Sequence, residues 1–129
     1  MLNHKELSSL ASLLRDAQRK FFAAAALYKK NPTDLNKIAK EKALHEMRNE
    51  EYRAKVAVSE ILTANQTETN IPKDLVELAE IIRNMMAAQE SWMKNPVSAA
   101  QRVAMQWENK LDELLGCSKN APTNQKSLF

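Results

Sequence analysis

His45 sits four residues after Glu41 and beside Glu46, residue types able to hold a divalent ion. A carboxylate-bridged di-iron or di-manganese site in a helical bundle needs inward glutamates from several helices and two Glu-x-x-His pairs. Neither His4 nor His45 has a glutamate three positions before it. The grouping therefore reads as a solvated helix face, and no metal or other cofactor is expected. Cys117 is the only cysteine, so no intramolecular disulfide can form and a reducing compartment is expected. A nucleophilic thiol needs a base within hydrogen-bond reach, and both histidines lie far from it in sequence. A chain with one glycine cannot build a glycine-rich phosphate loop. Its serines sit near helix starts or among the C-terminal residues, where capping or solvent accounts for them. These residues predict a protein that is not an enzyme and has no small-molecule substrate.

The elements that must position any site are helices. Abundant Ala, Leu, Lys, Glu and Met with no sustained alternation of apolar and polar residues predict an all-α chain. Two corners organise it, Lys30-Asn31-Pro32 and Lys94-Asn95-Pro96. Asn suits an N-cap and Pro the first helical position, while Pro blocks the helix arriving from the other side. Upstream of them, the stretch Leu10 to Asp16 resembles Leu78 to Asn84. The reading is two tandem antiparallel hairpins, over 4–64 and 72–116, that form one four-helix bundle. Residues 117–129 are expected to be a flexible tail, because they are polar almost to the end.

In the first helix, Leu7, Leu10, Leu14, Ala17, Phe21, Ala24 and Tyr28 draw one apolar stripe. The second helix is assigned Leu35, Ala39, Ala43, Met47, Ala54, Val58 and Ile61. Its middle, from His45 to Arg53, is polar almost all round, and Glu50 falls on the stripe. Either this segment projects past its neighbours into water or Glu50 meets Arg15 or Arg19, and the cost of burying a carboxylate favours the first. The third helix is apolar over a wide arc, and Gly116 sits where a left-handed cap should close the fourth. Because the first hairpin is the longer, it must overhang the second. Two chains are expected to pair through it as a homodimer, aided by Ile81, Met85, Met86, Trp92 and Met93 on the third helix.

Charge narrows the partners less. Residues 1–66 carry 12 basic against 8 acidic side chains and the remainder 7 against 8, so the overall +3 is concentrated in the first hairpin. Lys29, Lys30, Lys37, Lys40 and Lys42 cluster around its corner, where they could meet nucleic-acid phosphates. No helix-turn-helix spacing or interleaved aromatic residues accompany them. The longest apolar run, Phe21 to Tyr28, is far too short to span a bilayer. His4, Lys5 and Glu6 occupy the place of a signal peptide's apolar stretch, so a cytoplasmic protein without membrane contact is expected.

One short motif suggests a particular partner. Gln125-Lys126-Ser127-Leu128-Phe129 resembles the peptide by which many bacterial replication and repair proteins dock on the sliding clamp. The resemblance implies that Leu128 and Phe129 enter an apolar pocket while Gln125 makes directional hydrogen bonds. Lys126 departs from the apolar residue common there. Two functions follow: a self-associating, non-catalytic protein-interaction module, or an accessory protein of replication, repair or nucleic acids that docks on a clamp through its tail.

Overall fold

The computed structural model describes residues 2–68 and 70–116. It contains α1 (His4–Lys30), α2 (Asp34–Thr67), α3 (Lys73–Lys94) and α4 (Ser98–Leu114), with no strand among the described residues. Helix α1 packs along α2 and α3 along α4, and both α1 and α2 lie against α3. The expected all-α bundle of two hairpins is the observed one. No described helix is long and apolar enough to cross a membrane.

Local chemistry fixes each boundary. Asn3 caps α1 reciprocally, its side chain accepting from the Glu6 amide at 2.8 Å while Glu6 accepts from the Asn3 amide at 3.0 Å. Gly116 takes φ +79° beyond the end of α4, where its amide donates to the Glu113 carbonyl. That is the left-handed closure expected from a glycine. Helix α2 runs past its expected end near Ala64 to Thr67, whose hydroxyl turns back to the Ala64 carbonyl at 3.3 Å.

The two corners are near copies, but not with the expected capping. Asn31 closes α1 with φ −140°, ψ 85°, and Asn95 closes α3 with φ −142°, ψ 85°. Each therefore ends the arriving helix instead of capping the next, because a residue before proline is driven out of the helical region. Across each proline the following amide bonds back to the asparagine carbonyl at 2.8 Å, a tight three-residue turn. The N-caps are Thr33 and Val97, and the helices start at Asp34 and Ser98. Thr33 accepts from the Asn36 amide at 3.1 Å, whereas Val97 offers no side-chain bond.

The main core draws on all four helices: Leu7, Ala11 and Leu14, then Ala54, Val58 and Ile61, then Leu75 to Met86, then Leu111. A second cluster of Ala17, Phe21 and Met47 lies between α1 and α2, nearer their corner. Helices α1 and α3 run in the same direction and are level where Gln18 meets Gln89. Lys94, five residues beyond Gln89, is thus level with residue 23 of α1, and the first hairpin continues for about seven residues, or about 10 Å. On this overhang Leu27, Leu35 and Ile38 are exposed, so two members of the α2 stripe read from the sequence, Leu35 and Ala39, are not core.

The duplicated corner allows a direct test. Because Val97 has nearly the backbone of Thr33, Val97→Thr should restore the missing cap and add about 1 kcal/mol, while Thr33→Ala should lose about as much. Thermal unfolding should show midpoints moving in opposite directions by about 4 °C.

Candidate interaction surface

A band of buried polar side chains crosses the bundle between the two apolar clusters. Arg15 of α1 grips Asp112 of α4 with one edge of its guanidinium, Nε donating to Oδ1 at 2.9 Å and Nη2 to Oδ2 at 3.1 Å. Arg19 adds a contact to the same Oδ2 at 2.7 Å. From Arg15 the chain of bonds continues through Nη1 to Gln18 Oε1 (2.6 Å), Gln18 Nε2 to Gln89 Oε1 (2.8 Å) and Gln89 Nε2 to Glu108 Oε2 (2.8 Å). Arg15, Gln18, Gln89, Glu108 and Asp112 are all buried. Two arginines and two carboxylates balance, so the charge is neutralised where water cannot do it. The band joins α1, α3 and α4 and holds them in register.

Between α2 and α3 lies an open cleft of about 440 Å³, with Gln18, Gln89, Met47 and Met86 among its lining residues and Arg48, Glu51, Lys55 and Glu90 around them. The two glutamine amides already bond each other. Burial pushes the Glu51 carboxyl above its ordinary value, Lys55 and Arg48 oppose the rise, and Glu90 adds to it. Arg48 and Glu51 of the polar middle of α2 thus line this cleft beside α3, while His45, Glu46, Asn49 and Arg53 are exposed to solvent. Glu50 bonds Arg53 of its own helix at 3.2 Å, and both arginines once considered for it turn to Asp112 instead.

The outer side of α2 is different in kind. Positions 35, 38, 42, 45, 49, 52, 56, 59 and 63 alternate spacings of three and four, and every one is exposed. This is the spacing of a coiled-coil seam, although Lys42, His45, Asn49, Ser59 and Thr63 make five of the nine positions polar. It carries Leu35 (79 % exposed), Ile38 (61 %), Tyr52 (70 %) and Val56 (49 %). Ala54 of the core lies two residues from both Tyr52 and Val56, about 200° around the helix. Helix α2 therefore presents apolar side chains on opposite faces, and the bundle covers one of them.

The residues expected to pair two chains are mostly spent inside one. Ile81, Met85 and Met86 belong to the core, because α3 packs on α1, α2 and α4 and its wide apolar arc is consumed. Trp92 is half-buried, and Met93, 57 % exposed, lies at the edge of the cleft. Lys29, Lys30, Lys37 and Lys42 are exposed around the first corner, while the Lys40 ammonium lies 5.3 Å from the Tyr28 ring centre. Lys29 and Lys30 also complement the C-terminal end of α1. Gln125, Leu128 and Phe129 lie outside the described residues. Among the described residues, no three of His, Cys, Asp and Glu stand close enough to share an ion.

Sequence reasoning missed the polar band. The signal was present: Leu7, Ala11, Leu14, Gln18 and Phe21 keep one face of α1, and Leu75, Leu78, Ile82, Met85 and Gln89 one face of α3. A glutamine on each apolar stripe, with Glu108 between Ala104 and Leu111 on α4, marks buried polar positions. No family model matches this chain, and no curated protein or solved structure is detectably similar to it.

Two predictions follow from these groups. Asp112→Ala strands Arg15 in the core and should cost roughly 3–5 kcal/mol in urea unfolding. Arg15→Met combined with Asp112→Leu should recover most of that loss. Glu51, whose folded carboxyl holds its proton more tightly than the unfolded one, is a burden when ionised. Glu51→Gln should raise the melting temperature at pH 7, and the gain should shrink as the pH falls through the raised folded value and vanish below the ordinary 4.5.

Proposed function

We propose that this protein is a non-catalytic protein-interaction module that binds through the outer face of α2. The exposed seam carries this reading: four large apolar side chains stand on one line of the longest helix, opposite the line that makes the core. Scattered exposed apolar residues need no explanation, but two pairs of them on one line of a helix, Leu35 with Ile38 and Tyr52 with Val56, are what a surface covered in use would present. A helix face with this spacing engages another helix. The lysines at the adjoining corner are a secondary feature that would steer acidic partners toward it.

The test compares three immobilised baits in extract from the native host: the full chain, its Ile38→Asp/Val56→Asp variant, and a chain lacking residues 125–129. Circular dichroism should show the same helix content in all three. Proteins retained by the full chain should be lost with the α2 variant and kept with the shortened one. Identical retention by the full chain and the α2 variant would overturn the reading. Loss confined to the shortened chain would favour docking through Gln125, Leu128 and Phe129.

A further inference from the structure

The tip of the first hairpin carries exposed apolar and basic side chains together. Leu27 of α1 and Leu35 and Ile38 of α2 are 52 %, 79 % and 61 % exposed. The outer line of α2 takes in Leu35 and Ile38 but leaves Leu27, on the other helix, unexplained. Between residues 27 and 42 stand Lys29, Lys30, Lys37, Lys40 and Lys42 against Asp34 and Glu41, a net charge equal to the +3 of the entire chain. Going beyond the reading of α2 as a binding face, we propose that this tip docks end-on into the surface of an anionic lipid bilayer.

Depth decides what such a tip can reach. Leu27 lies shortly before the end of α1, and Leu35 and Ile38 lie in the first turns of α2, so all three sit within about 6 Å of the helix ends. Apolar groups seated at the boundary of headgroups and acyl chains enter by about 5–10 Å. The first corner clears the second by about 10 Å, so the tip enters that far before α3 and α4 meet the headgroups. An end-on approach immerses side chains of both helices, whichever way each is turned about its axis. Leaving water costs the corner little, because its polar groups already bond one another. The Asn31 carbonyl accepts from Asn36 Nδ2 at 2.7 Å and from the Thr33 amide at 2.8 Å, and the Thr33 hydroxyl accepts from the Asn36 amide at 3.1 Å.

Charge selects the lipid. Lys29, Lys30 and Lys37 are exposed at the depth of the three apolar residues, with Asp34 the one carboxylate among them. Their long stems let the ammonium groups stay with headgroup phosphates while the apolar side chains go deeper. Lys40 and Lys42 follow about a turn behind, against Glu41. The phosphates of a nucleic acid would answer the lysines equally well but leave Leu27, Leu35 and Ile38 facing water. A lipid surface answers both sets at once. The absence of membrane contact expected from the sequence rested on the lack of a spanning segment or leader, and a docked tip needs neither.

Sedimentation of the full chain with vesicles tests the docking, using phosphatidylcholine alone or in equal parts with phosphatidylglycerol. The chain should pellet with the anionic vesicles and not the neutral ones, and lose affinity as salt is raised. Lys29→Gln/Lys30→Gln/Lys37→Gln should weaken binding about 100-fold, and Leu27→Gln/Leu35→Gln/Ile38→Gln at least about tenfold. Circular dichroism should not change, since all six positions are exposed. In a Cys117→Ser background, an environment-sensitive dye on Leu35→Cys should shift to the blue on anionic vesicles. The same dye on Tyr52→Cys, about 26 Å farther along α2, should not. No pelleting with anionic vesicles, equal pelleting with neutral ones, or a shift of both dyes would overturn the proposal. So would vesicle binding that survives loss of the three apolar residues, which together with retention of a DNA duplex would mark phosphate binding alone. Tyr52→Asp/Val56→Asp, remote from the tip, should leave vesicle binding unchanged, so failure here and failure of the α2 face to hold a protein partner are separate results.

Discussion

Asp112 lies in the core with both carboxylate oxygens turned to guanidinium groups, and the placement of the two hairpins depends on that arrangement. A buried ion pair adds little net stability, because desolvating both groups offsets most of their attraction. Its force lies in what happens when it is misaligned. Sliding α1 by one turn against α4 would move Arg15 about 5.4 Å, leaving one charge in apolar surroundings and another facing nothing. The apolar stripes alone would tolerate such a slip, since leucine and alanine positions recur at each turn. Gln18 and Gln89 tighten the constraint, because an amide without its partner is also costly in the core. Even this network is not fully satisfied: Glu108 Oε1 and Arg19 Nε are buried without a hydrogen-bond partner. The band thus works as a registration device whose members are worth more for where they hold the helices than for net energy.

Once the register is set, the rest of the architecture follows from helix length. With Gln18 level with Gln89, α3 ends about two turns short of the first corner, and α2 extends beyond the helices that would otherwise flank it. The small Ala17, Phe21 and Met47 cluster, backed by Phe22, Ala25, Ala43 and Leu44, is sufficient to hold that end of the hairpin together. It cannot shelter a second apolar face. The exposure of Leu35 and Ile38 is therefore a consequence of two hairpins of unequal length fixed at one level, whereas Tyr52 and Val56 are exposed because they lie on the side of α2 turned away from Ala54 and the core.

Much of this was legible in the sequence because the signals were local. Proline after asparagine, a solitary glycine after Leu115, and Asn3 three residues before Glu6 act within one turn of chain, and each marks a real boundary. The corners were placed correctly but capped by the wrong residue: proline's restriction on its predecessor outweighs the N-cap preference of asparagine. The polar band was not read, since Arg15 and Asp112 are far apart in sequence and only packing brings them together. Glu50 drew attention because it interrupts a stripe, yet Gln18 and Gln89 do the same more quietly, as uncharged residues that seem harmless at a core position. On α3 the wide arc was recognised, but the sequence gives no means of deciding whether such a helix is buried on two sides or open on one. Three neighbours consume it.

Helix α2 shows why a single apolar pattern can be misread. A spacing of four joins Leu35, Ala39, Ala43 and Met47 into one stripe, whereas alternating three and four joins Leu35 and Ile38 to Tyr52 and Val56. Both patterns start at Leu35, and they diverge by about 50° for each step of four taken in place of three-and-a-half on average. Ala39 and Ala43 are compatible with either face, since a methyl group is easily left in water or buried. Only the fate of the large residues discriminates: Met47 is buried, while Leu35, Ile38 and Tyr52 are among the most exposed apolar side chains described. Two superposed periods on one helix blur each other and make it look weakly amphipathic. A helix with large apolar side chains on two opposite faces has this signature, so the faintest apolar pattern in the chain belongs to the helix whose large apolar residues divide between core and solvent.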